Sequence, residues 1–314
     1  MQDELIVFTH NDADAGGCII NIEYKMPGIK KKYFYTNYGD IEKQVQDIED
    51  YVKQHGNKYC LMTDISWSTS PEALHKICSL FEKITLIDHH LYPDRFFDNY
   101  PKLKVHWDKT KSASLLTYEY FGNNTSGNSD LAYVTQLVDV YDLWQIRSPL
   151  FNKAQDLNTF FWEVGKEKFI NDIINSGFKL PHYYDNVVDD ITRRYNEAIV
   201  KFENRKLIHR SGKITLAFVD EWFNQIIIQE MQAGKDFVVN ATTFGIFKIR
   251  ISAEAPISGE QKDLLRIALC GTKDIGHSNA FTYKIKQVSF ENIMKQLKFI
   301  TEQINKICYE QKIS

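Results

Sequence analysis

Three apolar runs near the start of the chain each end abruptly in acids or imidazoles, and this recurrence constrains the fold most. Ile84 to Ile87 runs into Asp88-His89-His90. Leu5-Ile-Val-Phe-Thr9 runs into His10-Asn-Asp12-Ala-Asp14. Tyr59-Cys-Leu-Met-Thr63 runs into Asp64. Short apolar runs bounded by polar residues read as buried strands. In an open α/β sheet, the carboxyl ends of parallel strands converge on one crevice. Acidic clusters gathered there repel one another unless positive charge lies between them, and divalent cations supply it.

The rest of the first half alternates in the same way. Strands are predicted at Leu5–Thr9, Lys32–Thr36, Tyr59–Thr63, Ile84–Ile87 and Leu103–His106. The His10–Gly17 stretch reads as a loop, followed by a short helix through Tyr24. Ile41, Val45, Ile48 and Val52 recur at helical spacing behind Asp40 as a cap, which predicts a helix to Gln54. Ser70-Pro71 opens another helix, to about Glu82, with a capping hydroxyl and proline at the first helical position. Ser112–Phe121 and Ser129–Trp144 read as two more. Such alternation implies a parallel sheet covered on both faces.

Beyond Trp144 the chain is polar, aromatic and helical to about Arg210. Strands return at Ile214–Val219, followed by a helix over Glu221–Gln232. Phe237–Thr242 and Phe244–Ser252 read as a hairpin. A helix over Glu260–Leu269, a strand over Thr282–Gln287 and a helix over Phe290–Tyr309 finish the chain. The prediction is an α/β protein with a parallel-sheet domain at 1–150, a helical connector at 151–210 and a smaller α/β domain at 211–314. A length of 314 residues accommodates two domains.

Composition sets the outer limits. Apolar residues at 43%, charged residues at 25% and a net charge of −3 describe a soluble protein with no global basic field for long duplexes. The 5 cysteines are scattered and form no CxxC pair, which excludes a disulfide framework and fits a reducing cytoplasm. The first strand begins after four residues, so no signal peptide is expected, and no apolar run of about 18 residues predicts a membrane span. Aromatics at 13% serve mostly in packing, with some available for stacking on bases.

Taken singly, each acidic motif is a weak signal: Asp-Ala-Asp reads as a turn or cap, Asp-His-His as a polar loop, and Asp64 alone does not favour a ligand. Their joint occurrence at consecutive strand ends favours metal binding. His10, Asp12 and Asp14 share parity in an extended loop. Carboxylates and imidazoles without thiolate suit Mn²⁺, Mg²⁺ or Fe²⁺ better than structural zinc. A carboxylate bridging two such ions about 3.5–4 Å apart makes a hydrolase centre that turns water into hydroxide.

These motifs resemble those of the DHH phosphoesterase superfamily, which includes RecJ-type exonucleases and nano-RNases. The naming triplet is Asp88-His89-His90. The first motif, His/Asp-x-Asp-x-Asp-Gly after a strand, is matched by His10-Asn-Asp12-Ala-Asp14-Ala15-Gly16, with Ala15 where glycine is usual. A lone aspartate after a strand is matched by Asp64. An aspartate ending a helix is matched by Asp139 or Asp142, with Asp139 preferred, although Asp142-Leu-Trp144 resembles the oligoribonuclease branch. The resemblance covers most of the chain. It implies two divalent cations, Mn²⁺ before Mg²⁺. His10 and Asp12 hold one ion, Asp14 and His89 the other, Asp64 bridges, and Asp139 or Asp142 completes the set. His90 then serves the leaving oxygen, and Asp88 orients an imidazole.

The same resemblance implies a DHH-associated domain with a Gly-Gly-Gly-His-x-x-Ala-Gly loop. Its counterpart is Gly276-His277-Ser278-Asn279-Ala280, where most of the glycine run is missing. Arg250 matches a phosphate-contacting arginine, and strand alternation places Lys248, Arg250 and Ser252 on one face. Two sites on two domains suggest a ruler for short chains. The implied activity is hydrolysis of short RNA or DNA oligonucleotides to mononucleotides. The alternatives are a cyclic or linear dinucleotide or pAp phosphodiesterase, a pyrophosphatase, or a decayed binding module. Oligomeric state stays open, homo-oligomers included.

Overall fold

The computed structural model describes residues 4–309 except 38, 57, 123–127, 204–207, 212, 219–233, 242–244, 253–254 and 277–278. Two compact units divide at Asn196/Glu197.

The first unit contains β1 (Leu5–Thr9), α1 (Ala13–Lys25), β2 (Lys31–Tyr35), α2 (Ile41–His55), β3 (Tyr59–Thr63), α3 (Pro71–Leu80), β4 (Lys83–Asp88) and β5 (Leu103–Trp107). Helices follow: α4 (Ala113–Tyr120), α5 (Ser129–Asp142), α6 (Phe151–Val164), α7 (Lys166–Asn175) and α8 (Tyr184–Glu203), the last crossing the division. The strands form a wholly parallel sheet in the order β2-β1-β3-β4-β5. That order sets the three motif-bearing strands side by side. Thr9 is level with Thr63, and Thr63 with Ile87, so the motifs leave the sheet at one height.

Period-two alternation divides the core between the faces. Ile6, Phe8, Met62 and Leu86 join Ile41, Ile48, Leu74 and Ile77 from α2 and α3 on one face. Val7, Leu61 and Ile87 meet Ile22 of α1 and Leu116 of α4 on the other. Residues 151–196, predicted as part of a connector, lie within this first unit. Phe151, Leu157, Phe160, Phe161, Phe169 and Ile173 bury their side chains with Ile19 of α1 and Leu137 of α5. Those apolar faces need a partner, and α1 and α5 provide it.

Helix α1 starts at Ala13, so Gly16 and Gly17 are helical and not in a loop as predicted. Glycine inside a helix costs about 1 kcal/mol relative to alanine. Close packing explains both. A Cβ on Gly17 would lie 2.3 Å from Ser114 Oγ, and one on Gly16 would lie 3.3 Å from the Phe161 ring.

The second unit contains β6 (Ile208–Ser211), β7 (Ile214–Phe218), β8 (Phe237–Ala241), β9 (Ile246–Ile251), α9 (Gly259–Cys270), β10 (Ala280–Lys284) and α10 (Phe290–Ile304). The sheet order is β10-β9-β8-β7-β6, with β7 and β8 parallel and the other pairs antiparallel. The β8–β9 hairpin is as predicted. Strand β6 is not: four residues carry too little periodicity to separate it from the helical texture before it. The helix predicted over Glu221–Gln232 lies outside the described residues. Phe237, Val239, Phe247 and Ile249 pack on Leu265, Ile293, Leu297 and Ile300. Among the described residues no helix is long and apolar enough to cross a membrane.

Candidate metal centre

Each motif reaches the centre by a different local device. Asp12 caps α1: its Oδ1 accepts the Ala15 N–H at 3.0 Å, while Oδ2 lies 2.8 Å from His10 Nδ1. Asp14, in the first turn of the helix, accepts the N–H groups of Ala113 and Ser114 at 2.8 Å each. These are first-turn amides of α4, and a helix N-terminus favours an anion. Asp64 follows β3 with φ +56°, a left-handed conformation uncommon outside glycine but better tolerated by aspartate. Its N–H donates to the Ile87 carbonyl at 3.1 Å, which ties the turn to β4.

That turn directs the Asp64 carboxylate between two groups. Oδ2 lies 3.8 Å from His10 Nδ1, and Oδ1 lies 3.4 Å from His89 Nε2. His89 Nε2 also lies 3.5 Å from Asp142 Oδ2 and 3.8 Å from Asp14 Oδ2. Two trios result, His10–Asp12–Asp64 and Asp14–His89–Asp142, each with donor atoms within 4.8 Å of one another. Asp64, Asp88, His89 and His90 form a third such group.

Asp142, and not the preferred Asp139, joins the cluster. Asp139 is committed elsewhere: its Oδ1 accepts the Ser112 N–H at 2.7 Å and its Oδ2 accepts Gln145 Nε2 at 3.0 Å. Both aspartates stand at the end of α5, three residues apart. The helix closes through Trp144 at φ +54°, held by edge-on contacts with Tyr141 and Phe151. That turn brings Gln145 back onto Asp139.

His90 Nδ1 lies 2.8 Å from Asp88 Oδ1, so Asp88 orients His90. The other Asp88 oxygen accepts the Tyr92 hydroxyl, whose oxygen also lies 2.9 Å from the Ile65 carbonyl oxygen. Tyr92, Gln145 and the first-turn amides of α4 were not anticipated. The small residues Ser112-Ala113-Ser114, opening a helix, were the one available signal for those amides.

Burial is the largest influence on every acid here, and it raises those carboxyls whose attraction to a histidine does not outweigh it. The Asp64 carboxyl stands well above its ordinary value, with Asp12, Asp14 and Asp142 adding repulsion. Burial and Asp142 push Asp14 up to about 8. Burial carries Asp142 to about 6 against the pull of His89. Asp12 and Asp88 go the other way, because His10 and His90 respectively outweigh burial. Burial lowers His10 and His89, but the surrounding carboxylates win and raise both.

The cluster fits divalent cations on its own chemistry. Asp64 Oδ2 and Asp142 Oδ2 are buried and make no hydrogen bond among the described residues. Buried anionic oxygens are costly without a partner, and a cation supplies one. Oxygen and imidazole donors without thiolate suit Mn²⁺ or Mg²⁺.

In the second unit, β9 alternates buried Phe247, Ile249 and Ile251 with half-buried Lys248 and Arg250. Ser252 is buried beyond the strand end. Arg250 pairs with Ala280 across the ladder. The Asn279 carbonyl accepts the Ile251 N–H at 2.8 Å, and its side-chain oxygen accepts Lys262 Nζ at 2.7 Å. Gly276 has φ +70°, and a Cβ there would lie 2.6 Å from the Ala280 carbonyl oxygen, so the position requires glycine. His277 and Ser278 lie outside the described residues. Lys262 was not anticipated.

Fold and site define the class: an α/β protein in two units, with a buried carboxylate–imidazole cluster able to hold metal at the tips of a parallel sheet. No protein-family model and no curated protein matches the sequence. Solved structures do match. A pGpG-specific phosphodiesterase, PggH from Vibrio cholerae, aligns at 15% identity over 95% of this chain and 98% of its own, with a TM-score of 0.54. A RecJ exonuclease bound to manganese aligns at 14% identity over 96% of this chain and 90% of its own, at 0.57. RecJ from Thermus thermophilus, in complex with Mn²⁺, aligns at 13% identity over 96% of this chain and 52% of its own, also at 0.57. At these identities the likeness is one of fold. The fold is the DHH-type fold that the motifs imply.

Proposed function

We propose that this chain is a divalent-cation-dependent phosphodiesterase that hydrolyses short oligonucleotides to mononucleotides. One observation carries the reading: Asp64, turned by its left-handed backbone, offers one oxygen to each of two ligand trios. A bridging carboxylate between two cation positions is the arrangement two-metal hydrolysis needs.

His10, Asp12 and Asp64 would hold one cation, and Asp14, His89 and Asp142 with Asp64 the other. Bound there, such cations supply a hydroxide at neutral pH and neutralise charge on the phosphoryl oxygens. The remaining steps belong to the chain. With Nδ1 engaged by Asp88, His90 presents Nε2 to hold or deliver a proton at the leaving oxygen. Asp88, fixed by Tyr92, keeps that imidazole oriented. The amides of Ala113 and Ser114 hold Asp14 in place. In the second unit, Arg250, Gly276, Asn279 and Ala280, with His277 and Ser278, are proposed to grip a substrate phosphate or terminal hydroxyl.

A linear dinucleotide substrate is the second reading. The match to the pGpG-specific enzyme spans nearly the whole of both chains, which favours it. Purified protein with Mn²⁺, offered linear and cyclic dinucleotides, longer RNA and DNA oligomers, pAp and pyrophosphate, separates the readings. Turnover of dinucleotides through short oligomers supports the first. Turnover of linear dinucleotides alone supports the second. Turnover confined to cyclic dinucleotides, pAp or pyrophosphate rejects both.

A further inference from the structure

Trp107 ends β5 at the carboxyl edge of the sheet, level with Asp88 in the ladder. Its indole N–H donates to the His90 carbonyl at 2.7 Å. Its ring meets Tyr92 edge-on, with centroids 6.5 Å apart. The indole is thus fixed to the Asp88-His90-Tyr92 assembly. Yet 42% of Trp107 remains exposed. Exposing so large an apolar surface forgoes burial worth about 25 cal/mol per Å². A pinned, exposed ring bonded to the backbone of the candidate proton donor is arranged to receive something flat.

Trp162, at 58% exposure on α6, offers a contrast. Its ring meets Phe161 edge-on, and among the described residues it shares no hydrogen bond with the Asp88-His90 segment. Trp107 differs through its link to the candidate proton donor.

We propose that Trp107 is a stacking platform for a nucleobase of the substrate, its place set by the indole bond to the His90 carbonyl. This inference rests on the nucleotide reading of the centre and adds the group that would select nucleotides over base-free phosphates. Every base has a π-face, so a stacking platform tolerates all four bases. A nucleotide's sugar links base to phosphate. Anchoring the base therefore brings a phosphate toward the histidine whose backbone carries the platform.

The rival role is structural, in which the indole only pins the triplet loop. Binding of guanosine 5′-monophosphate and ribose 5-phosphate to the Mn²⁺-loaded protein, measured by calorimetry, separates the two. The wild type should prefer the nucleotide by about tenfold or more. Trp107→Phe keeps a ring without the N–H and should retain part of that preference. Trp107→Leu keeps apolar bulk without a π-face and should lose it, and Trp162→Ala should change nothing. In turnover, Trp107→Leu should raise KM more than it lowers kcat. The proposal is overturned if the wild type shows no preference, if Trp107→Leu keeps it, or if Trp107→Phe loses as much as Trp107→Leu. A Trp107-dependent preference in a protein that cleaves no phosphodiester would instead reject the proposed function and leave the platform standing.

Discussion

Asp64 carries the heaviest demand of any single residue. Left-handed backbone at a non-glycine position costs of order 1–3 kcal/mol and persists where surrounding structure or function requires it. Asp64→Ala should remove Mn²⁺-dependent turnover, with the circular dichroism spectrum unchanged; full activity in that variant would refute the bridging role. Asp142 and Asp139 allow a sharper comparison. Asp142→Ala should remove a ligand, abolishing turnover and weakening stabilisation by Mn²⁺. Asp139→Ala removes the anchor for the Ser112 amide and Gln145 and should cost about 10- to 100-fold in activity while keeping Mn²⁺ stabilisation. Thermal melts with and without Mn²⁺ read the difference, and the opposite ranking would return Asp139 to the ligand set. At this scale the sequence was informative about residue type. His10, Asp12, Asp14, Asp64 and His89 were legible because each directly follows, or closely trails, an apolar run. The choice between Asp139 and Asp142 was not legible. Three residues apart on one helix, they differ only in what lies opposite, and that is tertiary information.

At the scale of elements, the α1–α4 contact governs how accurately the centre is built. Gly17 admits Ser114, and Ser114 in turn presents its amide to Asp14. Gly17→Ala adds a methyl group where no space exists, against both the Oγ and the Cβ of Ser114. Helix propensity alone would favour alanine by about 1 kcal/mol. Overpacking should outweigh it, for a net loss of about 1–2 kcal/mol, read as an earlier denaturant midpoint. A stabilised variant would show that α4 can shift without strain. This contact explains why the helix start was misread. Two adjacent glycines after His10-Asn-Asp12 look like loop residues locally, and the reasons for them lie far along the chain, at Phe161 for Gly16 and Ser114 for Gly17. The strands β1 and β3 were legible to the residue because their alternation and boundaries are local. The short β6 was not, since four residues at a sheet edge carry almost no pattern.

For the whole molecule, folding and metal binding are linked through the buried acids. Asp14 and Asp142 have folded-state values raised to about 8 and about 6, above those of the unfolded chain. Without metal, the folded protein therefore holds protons that the unfolded chain has released. The stability that these two carboxyls contribute is present below about pH 4 and is lost as pH rises through about 6 and about 8. A cation replaces those protons, so the stabilisation it gives should grow over the same interval. At neutral pH and free Mn²⁺ about 100-fold above its dissociation constant, linkage gives about 2.7 kcal/mol. For a unit of this size that is a rise in Tm of roughly 5–10 °C. Differential scanning fluorimetry in chelator and in Mn²⁺, across pH 5 to 8, tests it; a shift that shrinks as pH rises would contradict the linkage. The second unit should answer differently. Arg250 lies on a strand of the other unit's sheet, apart in sequence from every proposed ligand. Arg250→Ala should raise KM for a short oligonucleotide several-fold, leaving kcat and the Mn²⁺ shift nearly unchanged. Loss of kcat with constant KM would move Arg250 out of the grip and into the chemistry.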